Sequence, residues 1–343
     1  MSEDGPWTTR RLLQWIRTHL ESRRIDSPRV CAELMVAAAI GSERLRLYME
    51  PDRHASDEER DLLRDWVRRA SRHEPVQYLV GEAWFHGLRF EVDSSTLIPR
   101  PSTETLVSAA AERLAGLGRP ARILEPCTGS GCAGIALLRQ LDRPHRAAAR
   151  MREADEAILS DVARLAAAVG ETIDADSSEV GDSEAVVRTL PGERATVVAT
   201  DIVPAAVALA TRNAEAHGLG DRFDARVGSL FDPVAEGEAG GFDLVLSNPP
   251  YVSDVEWEKC PPNVRDHEPA TALRGGPDGL AVVGPLVEGA VGRLRPGGSL
   301  LVEIQYDQAA AVKTLFAEHG FVDVEVRRDM DGHERVVAGR LVD

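Results

Sequence analysis

The sequence predicts an α/β protein, in which a mostly parallel sheet with an antiparallel last strand follows a small helical domain. From residue 102 onward, short apolar segments alternate with helical patterns, which is typical of a sheet covered by helices. Residues 7–70 show helical apolar spacing instead, as at Trp7, Leu12 and Ile16, with Arg and Glu in the gaps. The two halves of the chain therefore differ in architecture.

Seven segments of the second half are predicted strands: 121–125, 195–200, 222–228, 242–247, 299–305, 321–327 and 334–340. Helical patterns lie at 104–116, 132–141, 204–217, 279–294 and 307–319. A short connection joins the last two strands, so we expect that pair to be antiparallel.

The helical domain is expected over residues 1–80 and a hairpin linker over residues 81–101. The aromatic run and glycine of segment 83–92 indicate the hairpin, and the prolines near residue 100 indicate extended chain. The α/β domain is expected over residues 102–343. It carries an insertion at about 143–194, which contains 7 Arg and 11 acidic residues and is largely of solvated composition.

Composition excludes several classes of function. The net charge of −16 over 343 residues argues against a general nucleic-acid binder, whose surface is basic. The four cysteines form no CxxC pair and the nine histidines form no cluster, so we expect reduced thiols and no metal. No apolar run is long enough for a membrane span, and no signal peptide is evident. These observations predict a cytoplasmic protein without a membrane partner.

A glycine-rich loop follows the first predicted strand. Glycines there allow a ligand to approach the backbone, and the next helix offers free N–H groups at its start. The loop contains no lysine, unlike an ATP-binding phosphate loop. It could also be only a tight turn from strand to helix. Its residues are Glu125, Pro126, Cys127, Thr128, Gly129, Ser130 and Gly131.

An acidic residue, Asp201, ends the second predicted strand. A carboxylate in this position can bind both ribose hydroxyls of a nucleoside. In the known fingerprint this acidic residue follows the glycines by about 20 residues. Asp201 comes 70 residues after Gly131, and the excess of about 50 matches the proposed insertion. The alternative is that Asp201 caps the helix that begins at Pro204.

The most specific motif is Asn248-Pro249-Pro250-Tyr251, directly after a buried strand. The two prolines remove backbone donors and stiffen the loop. The Asn248 side-chain oxygen and the Pro249 carbonyl are both acceptors, and together they can bind the two hydrogens of a planar NH₂ group. The Tyr251 ring can stack on that group and favour positive charge there.

Glycine loop, strand-end acid and NPPY in this order resemble class I S-adenosylmethionine-dependent methyltransferases, with their Rossmann-like sheet, that act on amide or amino nitrogens. Further motifs resemble the protein-(glutamine-N5) methyltransferases of peptide chain release factors, the HemK/PrmC type. The likeness covers most of residues 60–343 apart from the insertion. These motifs are EPVQYLVG at 74–81, FHGL at 85–88, LIPRPSTE at 97–104, EPATAL at 268–273, GGPDGL at 275–280 and DGHERVV at 331–337.

The resemblance implies S-adenosylmethionine as cofactor and the glutamine of a Gly-Gly-Gln loop in a release factor as substrate. It implies that Asn248, Pro249 and Tyr251 are catalytic, that Pro250 joins them in binding substrate, and that the helical domain docks the factor. No direct nucleic-acid substrate is expected. The cofactor residues that the resemblance implies are Glu125, Cys127, Thr128, Gly129, Ser130, Gly131, Asp201, Leu230 and Asn248. The chain departs from the family at Glu125-Pro126, where Asp-Leu is usual, and at Ser229, where Asp is usual.

Three alternatives remain open from the sequence. The first is N5-glutamine methylation of a ribosomal protein, although the related enzymes usually lack the PRPxTE segment present at residues 99–104. The second is N6-adenine methylation of nucleic acid, which predicts a basic face that the acidic second half does not obviously supply. The third is a methyltransferase fold kept only as a binding module.

Overall fold

The computed structural model describes residues 6–142 and 195–342. Contacts divide the chain into two compact units, which are described separately below. One unit comprises the chain up to Pro99 together with Pro250–Ala281, and the other comprises Arg100–Pro249 together with Val282–Asp343. The division at residues 80, 101 and 102 stays a prediction, and the expected insertion at 143–194 lies outside the described residues.

The described helices are α1 (Thr9–Ser22), α2 (Pro28–Ala39), α3 (Arg44–Met49), α4 (Asp57–Ala70), α5 (Val76–Val80), α6 (Thr103–Leu114), α7 (Cys132–Leu141), α8 (Pro204–Ala216), α9 (Asp254–Trp257), α10 (Pro262–Arg265), α11 (Val283–Val291) and α12 (Ala309–Glu318). The strands are β1 (Glu82–Phe85), β2 (Leu88–Glu91), β3 (Arg122–Pro126), β4 (Thr196–Asp201), β5 (Phe223–Val227), β6 (Phe242–Ser247), β7 (Leu294–Glu303), β8 (Phe321–Arg328) and β9 (Glu334–Leu341).

Helices α1 to α5 surround one apolar core in the first unit. Apolar side chains three or four positions apart, such as Leu12, Ile16 and Leu20, give α1 one buried face. Strands β1 and β2 then form the predicted hairpin, in which His86 and Gly87 both have positive φ. That geometry matches the twist of a two-residue hairpin turn.

The segment that contains α9 and α10 belongs to the same unit. Its buried residue Glu268 accepts a hydrogen bond from the Ile98 N–H at 3.3 Å. The His267 ring lies 3.1 Å from the carbonyl oxygen of Arg72. Two motifs 170 residues apart, LIPRP and EPATAL, are thereby brought into contact.

The second unit is built on one sheet with the strand order β5-β4-β3-β6-β7-β9-β8. Pairs from β5 to β7 are parallel, and β9 runs antiparallel to both of its neighbours. All six residues of β6 are buried, as expected of a central strand covered on both faces. The fold class predicted from the sequence is confirmed.

Two predicted elements have bounds that differ clearly from those of the structure. Strand β7 begins at Leu294 rather than at residue 299, because Leu294 pairs with Phe242 before a register shift. Helix α11 covers Val283–Val291 and is correspondingly shorter than the predicted 279–294. In the two described stretches, no helix has the length and hydropathy that a membrane crossing requires.

Candidate active site

The glycine loop turns the chain from β3 into α7. Its backbone has positive φ at Cys127 (60°), Gly129 (54°) and Gly131 (78°). A Cβ atom at Gly131 would lie 3.1 Å from the Ile135 side chain, so both the conformation and the packing favour glycine there. The predicted turn is therefore present and places the start of α7 beside the end of β3.

Asp201, at the end of β4, contacts this loop directly. Its Oδ2 accepts a hydrogen bond from the Gly129 N–H at 2.9 Å, and its Oδ1 accepts one from Val203 at 2.9 Å. The N-cap residue of α8 is Val203, so the alternative in which Asp201 caps that helix is wrong. Thr128 N–H also donates to the Thr200 carbonyl at 3.1 Å. The glycine loop and the strand-end acid thus form one connected group.

Glu125 lies beneath the loop with 3% of its surface exposed. Burial raises the pKa of this carboxyl to about 8, the nearby Thr128 hydroxyl and Gly134 N–H oppose the shift, and Asp201 adds to it. No described residue makes a hydrogen bond with its Oε2. A Cβ atom at Gly134 would lie 2.3 Å from Oε2, so the glycine makes room for this glutamate.

The loop's other polar side chains are neutral. Burial raises the pKa of the Cys127 and Cys132 thiols to about 12, which leaves neither as a thiolate nucleophile at neutral pH. The hydroxyl oxygens of Thr128 and Ser130 are buried without a hydrogen-bond partner among the described residues. Buried polar atoms are normally satisfied, so these positions suit a bound polar ligand.

Leu230 lies beyond the end of β5 and is held by β4. The Thr200 hydroxyl donates to the Leu230 carbonyl oxygen at 2.5 Å, and Leu230 itself has a φ of 43°. Its side chain is half-buried, whereas the preceding Ser229 is exposed. Leu230 therefore belongs to the same sheet edge as Asp201.

The end of β6 is fixed against β3. The buried Ser247 hydroxyl donates to the Pro126 carbonyl oxygen at 2.7 Å. Asn248 follows, and its Nδ2 donates to Thr103 Oγ1 at 3.1 Å. In the described part of the chain, no residue donates to Asn248 Oδ1 or to the Pro249 carbonyl oxygen. Neither of the two acceptors that the sequence singled out is thus engaged by a described donor.

Pro250 and Tyr251 belong to the other unit, where the chain continues toward α9. Val252 N–H donates to the Leu273 carbonyl oxygen and Gly275 N–H to that of Val252, both at 2.8 Å. Pro250 is buried and Tyr251 is half-buried. The chain that follows the NPPY motif is therefore hydrogen-bonded, as in a strand pair, to the residues at the start of the GGPDGL motif.

Sequence reasoning assigned no role to Thr103, the first residue of α6. It was quoted only within the LIPRPSTE motif, and its contact with Asn248 joins positions 145 residues apart. The available sequence signal was the LIPRPSTE motif itself, in which the Thr103 hydroxyl follows Pro99 and Pro101. Only the fold shows which side chain that hydroxyl meets.

Comparison with known proteins identifies relatives of both parts of the chain. Residues 11–81 match the model of the PrmC N-terminal domain, and residues 100–260 match that of the RMKL-like methyltransferase domain. A release factor glutamine methyltransferase of Geobacter sulfurreducens is 35% identical over 335 residues, which cover 98% of this chain and 97% of that protein. Its counterpart in Rhodopirellula baltica is 31% identical, with 98% and 97% covered.

Among solved structures, the chain is similar to a release factor-specific protein-(glutamine-N5) methyltransferase of Alicyclobacillus acidocaldarius, with a TM-score of 0.37 and 23% identity. That likeness covers 74% of this chain and all of the other. The two sequence relationships extend over nearly the whole of each protein. On the basis of these two relationships, the chain belongs to the family of release factor glutamine methyltransferases.

Proposed function

We propose that this chain transfers a methyl group from S-adenosylmethionine to the side-chain N5 nitrogen of the glutamine in the Gly-Gly-Gln loop of a peptide chain release factor. The observation that carries the proposal is the end of β6, where Asn248 keeps Oδ1 open while Thr103 engages its Nδ2. The names of the curated relatives, release factor glutamine methyltransferases, support the same substrate.

The sheet edge fits this cofactor chemically. When bound, S-adenosylmethionine supplies an electrophilic methyl group on a positively charged sulfur. Asp201 is suited to accept from the ribose hydroxyls, and Leu230 offers an apolar surface for the adenine. The unpartnered Oε2 of Glu125 is suited to a cationic amino group. The proposed cofactor residues are Glu125, Cys127, Thr128, Gly129, Ser130, Gly131, Asp201, Leu230 and Asn248.

Asn248 and Pro249 would orient the glutamine amide. An amide nitrogen is a poor nucleophile because its lone pair is delocalised into the carbonyl. Two fixed acceptors, Asn248 Oδ1 and the Pro249 carbonyl, can bind its hydrogens and direct the nitrogen at the methyl carbon. Positioning of this kind can supply up to about 7–11 kcal/mol of a barrier.

The same acceptors stabilise the charge that develops on nitrogen. Their dipoles are fixed before the reaction, so little reorganisation is needed as positive charge appears. The Tyr251 ring would stack on the amide and favour that charge, and Pro250 would limit the freedom of the loop. A bound S-adenosylmethionine would supply the methyl carbon for the new nitrogen–carbon bond and keep the electron pair of its carbon–sulfur bond as a thioether, and the amide proton would pass to water.

The helical unit is proposed to dock the release factor. Helices α1 to α5 of this unit enclose one apolar core, so the unit can present a stable surface. The reaction is assigned to the cytoplasm, in agreement with four cysteines that form no disulfide. The experiment described next also detects the two alternative substrates, a ribosomal protein and nucleic acid.

The purified chain is incubated with labelled S-adenosylmethionine and with release factors, ribosomal proteins or RNA in separate reactions. Mass spectrometry of the Gly-Gly-Gln peptide should find one methyl group on the glutamine side chain. Asn248→Ala should lower turnover at least about a hundredfold. Its affinity for S-adenosylmethionine in calorimetry should fall far less than turnover, because the other eight proposed cofactor residues are unchanged.

Asn263→Ala is the matched control, since Asn263 is a half-buried asparagine of α10 with no role in the proposed chemistry. Label found only on ribosomal protein or RNA would refute the proposed substrate. Normal turnover of Asn248→Ala would refute the proposed mechanism. Binding of S-adenosylmethionine without transfer to any substrate would instead support a binding module.

A further inference from the structure

The hydroxyl of Thr103 contacts the donor end of the Asn248 side-chain amide. Thr103 is the first residue of α6 and only 2% exposed. Its Oγ1 accepts the hydrogen bond from Asn248 Nδ2 at 3.1 Å. The Asn248 amide therefore lies with its donor end, Nδ2, toward Thr103 and with its acceptor end, Oδ1, directed away from it.

The direction of this amide matters for the proposed reaction. The incoming glutamine presents an NH₂ group, which only Oδ1 of Asn248 can bind. If the Asn248 side chain turned over, its own NH₂ group would meet that of the substrate, and two donors would face each other. In the productive orientation Nδ2 faces Thr103, and Thr103 Oγ1 supplies the acceptor that this donor needs.

Thr103 is itself well supported. Its backbone N–H donates to the Arg100 carbonyl at 3.1 Å, which forms the turn before α6. The neighbouring Ser102 hydroxyl donates to Glu303 Oε1 at 3.2 Å, at the end of β7. Because β7 lies beside β6, the start of α6 is joined to the ends of two adjacent strands. The hydroxyl of Thr103 is thereby held on a rigid part of the sheet edge.

We infer that Thr103 is a positioning residue for methyl transfer, which acts by holding Asn248 Oδ1 toward the substrate amide. The inference rests on the proposed function, since it assumes that Asn248 binds the nitrogen to be methylated. It assigns Thr103 no contact with substrate or cofactor. Its effect should therefore appear in the rate of transfer rather than in the binding of S-adenosylmethionine.

The experiment compares Thr103→Val, which keeps the shape of the side chain but loses the acceptor, with Thr103→Ser, which keeps the hydroxyl. With a release factor as substrate, Thr103→Val should lower kcat by about tenfold to a hundredfold, as expected when a reacting group is misplaced. The KM for the factor and the affinity for S-adenosylmethionine should change less than about threefold. Thr103→Ser should recover most of the rate.

A double-mutant cycle tests whether the effect passes through residue 248. Asn248→Ala removes the amide that Thr103 contacts, and labelled cofactor allows the residual transfer of this variant to be measured. Thr103→Val should then cost clearly less in the Asn248→Ala background than in the original chain. Thr211→Val serves as the matched control, because the Thr211 hydroxyl donates to the Val207 carbonyl within α8, away from Asn248 in the sequence.

Three results would overturn the inference while leaving the proposed function standing. They are an unchanged kcat in Thr103→Val, equal losses in the valine and serine variants, and a loss in the Asn248→Ala background as large as in the original chain. A parallel fall of cofactor affinity and melting temperature in Thr103→Val would show a merely structural role and would also overturn it. If the original chain does not methylate the release factor, the proposed function itself fails.

Discussion

The carboxylate of Asp201 and the backbone N–H of Gly129 are joined by a 2.9 Å hydrogen bond across 72 residues of chain. The bond ties the ends of two adjacent parallel strands, β3 and β4, at the edge where ligands of open α/β sheets bind. Asp201 therefore shapes the glycine loop in addition to offering oxygens to a ribose. Loss of the Asp201 side chain should therefore disturb both the conformation of the glycine loop and the binding of the cofactor.

Asp201→Ala should weaken the binding of S-adenosylmethionine at least about tenfold, because hydrogen bonds to a charged group contribute about 1.5–3 kcal/mol each. Calorimetry with the cofactor alone measures this effect without any protein substrate. Asp224→Ala, which removes an exposed acid from the neighbouring strand β5, should leave the affinity unchanged. An Asp201→Ala protein that binds the cofactor normally would refute the role assigned to Asp201.

Much of this sheet edge could be predicted because each signal is local. The strand before the glycine loop, the strand before Asp201 and the buried β6 before Asn248 all show in short apolar runs. The contact of Thr103 with Asn248 could not be predicted, because it depends on where α6 begins in space. The early start of β7 at Leu294 was missed for a similar reason, since only its pairing with β6 extends the strand.

The protonation of Glu125 should make stability depend on pH. In the folded protein burial raises the pKa of Glu125 to about 8, whereas the pKa of a free glutamate is 4.5. Between these pH values the folded chain keeps a proton that the unfolded chain loses, so stability falls as pH rises from about 4.5 to about 8. Glu125→Gln has no carboxyl to titrate at this position, so its stability should not fall for this reason.

The Tm of the cofactor-free Glu125→Gln protein should exceed that of the original by at least about 3 °C at pH 8, and the two should agree at pH 4. The same variant should bind S-adenosylmethionine more weakly, since a neutral amide replaces a group that can ionise. Glu288→Gln changes an exposed glutamate of α11 and should show neither effect. Equal Tm values at pH 8 would contradict the burial argument.

Gly275 should be important for the NPPY loop although it lies 24 residues beyond Tyr251. A Cβ atom at this position would lie 2.6 Å from the Gly279 carbonyl oxygen and 2.8 Å from that of Pro250. Both neighbours are backbone atoms, so the chain must shift to accept alanine. A shift of Pro250 displaces the neighbouring residues of the motif that is proposed to hold the substrate.

Gly275→Ala should therefore lower kcat for the release factor about tenfold or more. The affinity for S-adenosylmethionine should stay close to normal, because the proposed cofactor residues precede Pro250 in the chain. Gly284→Ala is the matched control, since nothing lies within 4 Å of a Cβ atom built there. If both glycine variants transfer methyl groups at the original rate, the loop does not depend on Gly275.

Residues 143–194 should be dispensable for cofactor binding, because both chain ends that flank them lie beside Arg222. The Asp142 carboxylate pairs with the Arg222 guanidinium at 2.6 Å, and the Arg222 carbonyl oxygen accepts from the Val197 N–H at 2.8 Å. Both anchors belong to the unit that carries the sheet. A Gly/Ser linker of about eight residues, at up to about 3.3–3.6 Å each, is therefore long enough to replace the segment.

The shortened protein should bind S-adenosylmethionine within about threefold of the original affinity. It should also melt at no lower temperature, because a shorter loop costs less closure entropy, about 0.6 kcal/mol for each halving of loop length. Calorimetry and a thermal melt of both proteins check these outcomes. Arg222→Ala in the full-length chain is a useful comparison, because it removes the ion pair at the base of the segment and should lower the Tm. A shortened protein that stays folded but no longer binds the cofactor would show that the segment contributes to the site, and the spacing argument that defined it as an insertion would then be wrong.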